Sequence, residues 1–284
     1  MSFIKLPPIN IENALDEAAI NPAIFSHIDE VKSQIDLHGY CITANAIDIA
    51  AIDRMKNFWS GFINKKNIDR KFVRGNLVLG ESNFLSYSDI PSWCMYRNFD
   101  FYWNKPTHCL TSEICLKLNS LRNSLQGFES DFGTQFNQDN YGIYVSTSLY
   151  SVGKGHFRMH ADAHGETPIL HFMIPLTFKG EDYNEGGLFI ENKRGDAVDI
   201  DSQCDKGALI FFDGRCSHGV KTIQGKGIGR LVVFAIPTYF ETGSRLEVFA
   251  RSLKVFIEEY IDKFFFLKAV RSFLGRIKSF LRNY

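Results

Sequence analysis

Two stretches, Leu149–His164 (LYSVGKGHFRMHADAH) and Phe211–Pro237 (FFDGRCSHGVKTIQGKGIGRLVVFAIP), decide the fold. Around them run short segments rich in β-branched and aromatic residues: YGIYVSTSLY (141–150), PILHFMIPLTF (168–178), GLFIE (187–191), DAVDI (196–200), GALIFF (207–212) and RLVVFAI (230–236). Gly, Asp, Asn and Lys separate them. Many short strands at this spacing predict a sandwich or barrel and not a parallel α/β sheet. Side chains alternate faces along an extended strand. His156, Arg158 and His160 are therefore expected on one face, and Asp162 joins them.

His160-Ala161-Asp162 near the start of this region and His218 near its end offer two imidazoles and one carboxylate. Such a set holds one face of an octahedral ferrous ion and leaves the other positions open to small ligands. His160, Asp162 and His218 are thus the candidate metal ligands. His218 is expected to arrive from a strand distant in sequence, in a sheet facing that of His160. Neutral imidazole is the ligating form, and its other nitrogen needs an acceptor. His-x-Asp alone is a weak signal. His164 extends it to His-x-Asp-x-His and is the rival of His160. His171 lies mid-strand and reads as a core histidine.

Working outward, residues 1–10 read as an extended lead-in, with Pro7-Pro8 preventing helix. Residues 11–20 suggest a short helix. Residues 23–37 carry Ile24, Ile28, Val31 and Ile35 at helical spacing, Gly39 ends that helix, and residues 40–43 form a short strand. A second helix carries Ile47, Ile49, Ile52, Met55 and Phe58-Trp59, and a third spans 110–127. Residues 70–106 show no regular period but hold Phe84, Tyr87, Trp93, Tyr96, Phe99, Phe101, Tyr102 and Trp103. That density supplies buried area or lines a substrate cleft. The segment 84–103 is expected at the substrate entrance, with Trp93 a candidate contact. The organisation read from these patterns is helical support and substrate loops over 1–139, a β core over 140–240 and a helical tail over 241–284.

The 284 residues are 45% apolar and 23% charged, which fits a globular chain with a substantial core. Net charge is zero, so the whole chain carries no nucleic-acid signature. The six cysteines form no C-x-x-C pair, no secretory signal opens the chain, and no apolar run is long enough to span a membrane. They read as reduced thiols of a cytoplasmic protein.

The joint order of His-x-Asp, strands with Gly186-Gly187, the run Gly207–Asp213, His218 and Arg230 resembles the Fe(II)/2-oxoglutarate-dependent dioxygenase superfamily. The likeness is strongest to its prolyl-hydroxylase-like and phytanoyl-hydroxylase-like branches. It covers about residues 140–240, with an echo in HGYCIT (38–43). The resemblance implies a double-stranded β-helix, or jelly roll, so the expected class is mainly β with flanking helices. It matches His160, Asp162 and His218 to the iron ligands. Arg230 matches the residue that grips the distal carboxylate of 2-oxoglutarate, and Tyr150 matches a tyrosine near that cosubstrate. A hydroxyl residue often stands two after the arginine, where this chain has Val232. The implied activity is an Fe(2+)-dependent hydroxylation that consumes 2-oxoglutarate and O2 and releases succinate and CO2. Asp162 fills the carboxylate position, which favours hydroxylation over halogenation. Arg158 and His156, on the expected metal face, are candidates to meet an anionic group of the substrate. The substrate is read as small or lipid-linked, with a surface-glycolipid sugar as one guess. Two alternatives remain open: a cupin-like metalloenzyme that does not use 2-oxoglutarate, and a jelly-roll binding module without catalysis.

The tail departs from the rest. From Lys263 onward there are six basic and no acidic residues, leaving 26 basic and 32 acidic residues before it. At helical spacing Lys268, Arg271, Lys278 and Arg282 align opposite Phe266, Val270, Phe273, Ile277 and Phe280. A basic amphipathic helix over 263–284 is expected to lie on an anionic membrane surface, peripheral on its inner face. The alternative is a helix docked on the core. Each cation near such a surface contributes on the order of 1 kcal/mol, and salt screens it. Vesicle co-sedimentation should therefore retain the intact chain, fall with salt, and fail for a chain ending at Asp262. Equal partition of both chains would refute the membrane role.

Overall fold

The computed structural model describes residues 2–9, 19–64, 68–71, 77, 79–134, 141–162 and 170–240, together with 246, 249, 250 and 253 of the tail. Of the helix expected over 11–20, residues 11–18 lie outside the described residues, as do the rival ligand His164 and the amphipathic segment 263–284, while Ile20 forms a single antiparallel bridge with Ile47. Among the described residues no helix is long and apolar enough to cross a membrane.

The N-terminal part supplies support. Strand β1 (Phe3–Lys5) pairs in parallel with β2 (Tyr40–Ala44). Between them the helical stripe is split at His27 into α1 (Ala23–Ser26) and α2 (Ile28–His38). Gly39 ends α2 with φ +85°, a left-handed conformation that suits glycine, and its N–H returns to Ile35 O at 2.7 Å. Helix α3 (Ile49–Asn64) follows, then the two-residue β3 (Arg70–Lys71).

Residues 84–101 form a regular hairpin, β4 (Phe84–Ile90) and β5 (Trp93–Phe101), where the sequence shows no period. Its two-residue turn is Pro91-Ser92. The period is hidden because β5 is covered on both faces, so apolar residues do not alternate with polar ones. Helix α4 (Cys109–Gln126) comes next, ended by Gly127 at φ +75°.

The core strands are β6 (Tyr141–Tyr150), β7 (His156–His160), β8 (Leu170–Pro175), β9 (Glu185–Glu191), β10 (Ala197–Asp199), β11 (Leu209–Asp213), β12 (His218–Gln224) and β13 (Arg230–Tyr239). They follow the order β1-β2-β11-β8-β13-β6-β5-β7-β12-β9-β10. This is the expected jelly roll: β11-β8-β13-β6 form one side, β7-β12-β9-β10 the other, and β5 bridges β6 to β7.

Alternation sorts the core into layers. On β13, Leu231, Val233 and Ala235 pack with Ile52, Met55 and Trp59 of α3 and Ile114, Leu118 and Leu121 of α4. The intervening Val232 and Phe234 pack inward with Val220 and Ile223 of β12 and with Tyr150. Trp59 is fully buried and its Nε1–H donates to Thr111 Oγ1 at 2.9 Å, joining α3 to α4.

The inner layer is closed at one end by charge. Arg230 is only 2% exposed, and its Nε and Nη2 donate to Asp201 Oδ2 at 2.6 Å and Oδ1 at 3.2 Å. Asp201 sits in a one-turn 3-10 helix, Asp201–Gln203, after β10. Its Oδ2 also accepts from Tyr183 Oη at 2.6 Å and Leu188 N at 2.9 Å. Gly187, at φ +102°, lets β9 come this close, since a Cβ there would lie 2.5 Å from Asp201 Oδ2. Removing one partner of a buried pair strands the other charge, which costs about 3–5 kcal/mol. Asp201→Ala should lower unfolding stability by that amount in a urea titration, and an unchanged midpoint would show the pair to be dispensable.

Candidate metal centre

His160 closes β7, Asp162 follows two residues later, and His218 opens β12. The expectation of facing sheets is corrected here: β7 and β12 are hydrogen-bonded neighbours, and His160 and His218 are direct Cα partners. Their ring centroids lie 4.4 Å apart. One ligand atom from each of His160, Asp162 and His218 lies within 4.8 Å of the others. His160 Nε2 is 3.7 Å from Asp162 Oδ1, and His218 Nε2 is 3.4 Å from Asp162 Oδ2.

Strict alternation along β7 is broken, and the break aims the ligand. Val220 pairs with Phe157 while His218 pairs with His160, so β7 carries one extra residue. That is a β-bulge, which re-aims side chains beside functional sites. The Arg158 N–H turns away to Ser92 O at 2.7 Å. Phe157 and His160 consequently meet, with centroids 4.3 Å apart. Opposite the bulge, Gly219 is required by space: a Cβ there would lie 2.8 Å from Met159 N and Phe157 O.

Each ligating imidazole is prepared by the backbone. His160 Nδ1 lies 2.9 Å from Arg158 O, and His218 Nδ1 lies 2.9 Å from Cys216 O. A carbonyl only accepts, so both Nδ1 atoms carry the proton and both Nε2 atoms present lone pairs. Burial, then neighbouring His160, lowers the His218 pKa to about 4, so this ring stays neutral across ordinary pH. Burial pushes the Asp162 carboxyl up, but His171, His218 and His160 outweigh it and hold the group well below the usual carboxylate range. The N–H of Asp162 donates to Gly214 O at 2.8 Å.

His171 has a role that its mid-strand position conceals. It pairs with Phe212 across β8 and β11, stacks on that ring at 5.0 Å, and brings Nε2 to 3.0 Å from Asp162 Oδ2. The signal available in sequence is parity, since His171 shares the inward face with Met173.

A cavity of about 380 Å³ opens over this centre, lined by His160, Asp162, Arg158, Trp93, Phe157, Arg97 and Phe99 among others. Trp93 and Arg158, two of the candidate substrate contacts, line it. His156 does not; its ring nitrogens face Lys154 O at 2.8 Å and Pro91 O at 3.2 Å. The bulge separates it from the face of His160. The aromatic segment 84–103 contributes Trp93 and Phe99 to this wall, while Phe84, Phe101, Trp103 and Phe240 do not line it and pack in one cluster with Phe99 and Tyr144. Arg230 and Tyr150 are Cα partners deeper inside, with the guanidinium 5.7 Å from the Tyr150 ring centre.

Asp162→Ala should abolish Mn(II) binding measured by electron paramagnetic resonance. His171→Leu should weaken it about 10–100-fold, as expected for a group that orients a ligand. Wild-type affinity in His171→Leu would remove His171 from the centre.

No protein-family model matches the chain, and no curated protein sequence matches it. Solved structures do. A Pseudomonas putida prolyl-4-hydroxylase is 13% identical, covering 76% of this chain and all of its own, with a TM-score of 0.52. AviO1 from Streptomyces viridochromogenes Tue57 is 13% identical over 80% of this chain and 99% of its own, at 0.50. SnoK from nogalamycin biosynthesis, a non-haem α-ketoglutarate-dependent carbocyclase, is 12% identical over 87% of this chain and 94% of its own, at 0.50. At such identities the likeness is one of fold, and the fold shared is the double-stranded β-helix implied by the sequence resemblance.

Proposed function

We propose that this chain is a non-haem Fe(II) oxygenase that consumes 2-oxoglutarate and O2 to hydroxylate a small substrate. The observation that carries the reading is the convergence of two Nε2 lone pairs and one carboxylate at a cavity mouth, with both Nδ1 protons tied to carbonyls. His160, Asp162 and His218 would hold the iron. The donor set and its preorganised tautomers fit an iron with open positions.

A second fit concerns the cosubstrate. Arg230 has five N–H donors, of which Asp201 takes two. The hydroxyl absent at Val232 has a substitute in register: Ser148 is the Cα partner of Val232, and its Oγ is buried without a hydrogen-bond partner among the described residues. Arg230 and Ser148, beside Tyr150, are the groups we assign to the distal carboxylate of 2-oxoglutarate. Bound iron and 2-oxoglutarate supply oxygen activation, with succinate and CO2 as by-products. The chain orients both and shields the site with Trp93, Phe157 and Phe99. Asp162 occupies the carboxylate position, which favours hydroxyl transfer over halide transfer. The basic pattern of residues 263–284 supports a finer reading, a lipid-linked substrate met at an anionic membrane surface.

Purified chain with Fe(II), ascorbate and 2-oxoglutarate should form succinate, and chelation of the metal should stop it. A cupin-like enzyme or a binding module would form none, and that result would overturn the proposal.

A further inference from the structure

The cations around the centre differ in one respect, which is what already neutralises them. Arg230 is held by Asp201, Arg215 by Asp213 at 2.5 Å, and Lys154 by Asp89 at 3.6 Å. Arg158 is exposed on β7. Arg97, on β5, is half-buried in the wall of the metal cavity, and no carboxylate of the described residues pairs with it. Its partners are hydroxyls. Nε donates to Ser146 Oγ at 2.8 Å and Nη2 to Tyr144 Oη at 3.1 Å. The rings of Phe99, Phe234 and Tyr144 surround the guanidinium at 4.8, 5.2 and 5.8 Å.

A partly desolvated guanidinium among aromatic rings is short of a counter-charge. Aromatic faces and hydroxyls fix its direction without cancelling its charge. The edge formed by Nε and one Nη2 hydrogen is occupied, which leaves the Nη1 and Nη2 end for a ligand. That end is flat and matches a planar O–C–O group bidentately. The hydroxyls that accept from Arg97 keep their own protons to donate. Tyr144 stays protonated because burial raises its pKa more than Arg97 lowers it. Donors thus converge from Arg97, Tyr144 and Ser146, and apart from the exposed Arg158 and the candidate metal ligands His160 and Asp162 the remaining wall is apolar or neutral: Leu77, Trp93, Met95, Phe99, Phe157 and the hydroxyls of Ser86, Ser88 and Ser92.

We infer that Arg97 anchors a carboxylate of the substrate, so that the enzyme acts on a small organic acid whose apolar body lies along Trp93, Phe99 and Phe157 toward His160. This rests on the oxygenase reading above and adds the substrate class to it. The acid group is held at Arg97 while the body extends to the metal, so the carbon attacked is remote from the carboxylate.

The test uses the full chain loaded with Mn(II), which binds without turnover, and calorimetric titration. 3-Phenylpropionate and its uncharged amide, 3-phenylpropanamide, serve as probes, each titrated with 2-oxoglutarate saturating. The acid is expected to bind about ten- to a hundredfold more tightly than the amide, the scale of one charge-assisted contact. Arg97→Gln should erase that preference and leave Mn(II) and 2-oxoglutarate affinities within about twofold. Arg97→Lys, which keeps the charge without the planar fork, should retain part of the preference, and it serves if the Gln variant does not fold. Equal binding of acid and amide, binding of neither, or a preference that survives Arg97→Gln would overturn the inference. So would a tenfold loss of 2-oxoglutarate affinity in Arg97→Gln, which would give Arg97 to the cosubstrate. Failure of the wild-type chain to bind 2-oxoglutarate at all would instead strike the oxygenase reading, and the probe titrations without 2-oxoglutarate would still report on Arg97.

Discussion

The two sides of the jelly roll are held together at their inner end by the charged clasp between Arg230 and Asp201. Arg230 starts β13 on one side, and Asp201 follows β10 on the other. Two guanidinium bonds, the Tyr183 hydroxyl and the Leu188 amide all converge on one carboxylate. A charge this deep is tolerable only with partners on every side. Because they are present, the sheets cannot slide past one another without exposing an ion to an apolar layer of Val220, Ile223, Val232 and Phe234. The opposite end is thereby free to stay polar and open, and that is where the histidines stand.

The polar groups then fall into a graded series along the interior. At the mouth are imidazoles and the carboxylate of Asp162 among them. Next comes Arg97, with hydroxyl partners and, among the described residues, no acid. Deepest is Arg230, with its acid built in. Each step inward loses water and gains a more complete set of protein partners, as low-dielectric burial demands. Along this interior, the charge left incompletely answered is the one that faces the cavity, where a ligand has room to answer it.

Much of this was legible in the letters. The strands after Tyr141 were visible because β-branched and aromatic runs end at Gly and Asp, and Gly39 announced the end of α2. His160, Asp162 and His218 could be named from order alone. What was hidden had physical causes. The β4–β5 hairpin escaped because both faces of β5 are covered, which removes the polar half of the alternation. His156 was placed with His160 because alternation assumes an unbroken strand, and the bulge is an exception that no residue type declares. Asp201 looked like any loop acid, and Arg97 like any strand cation, since the partners that distinguish them lie 29 and 49 residues away. Long-range pairing has no local signature, and that limit applies to every residue the reading missed.

The bulge in β7 also sets how this segment tolerates change through descent. The segment from Phe157 to His160 is one residue longer than the stretch of β12 it faces, and the bulge absorbs that odd spacing so that both side chains share one face. Most of its letters are replaceable, because Met159 and Arg158 look outward or onto an open cavity. Its length is tolerated in one direction only. Deleting the surplus residue would leave the histidine two places from Phe157, level with His218 and on the same face by plain alternation, whereas inserting one more would turn it away unless the bulge widened to absorb it. Selection on this stretch therefore acts on spacing as well as on composition, and single insertions should be rarer here than substitutions.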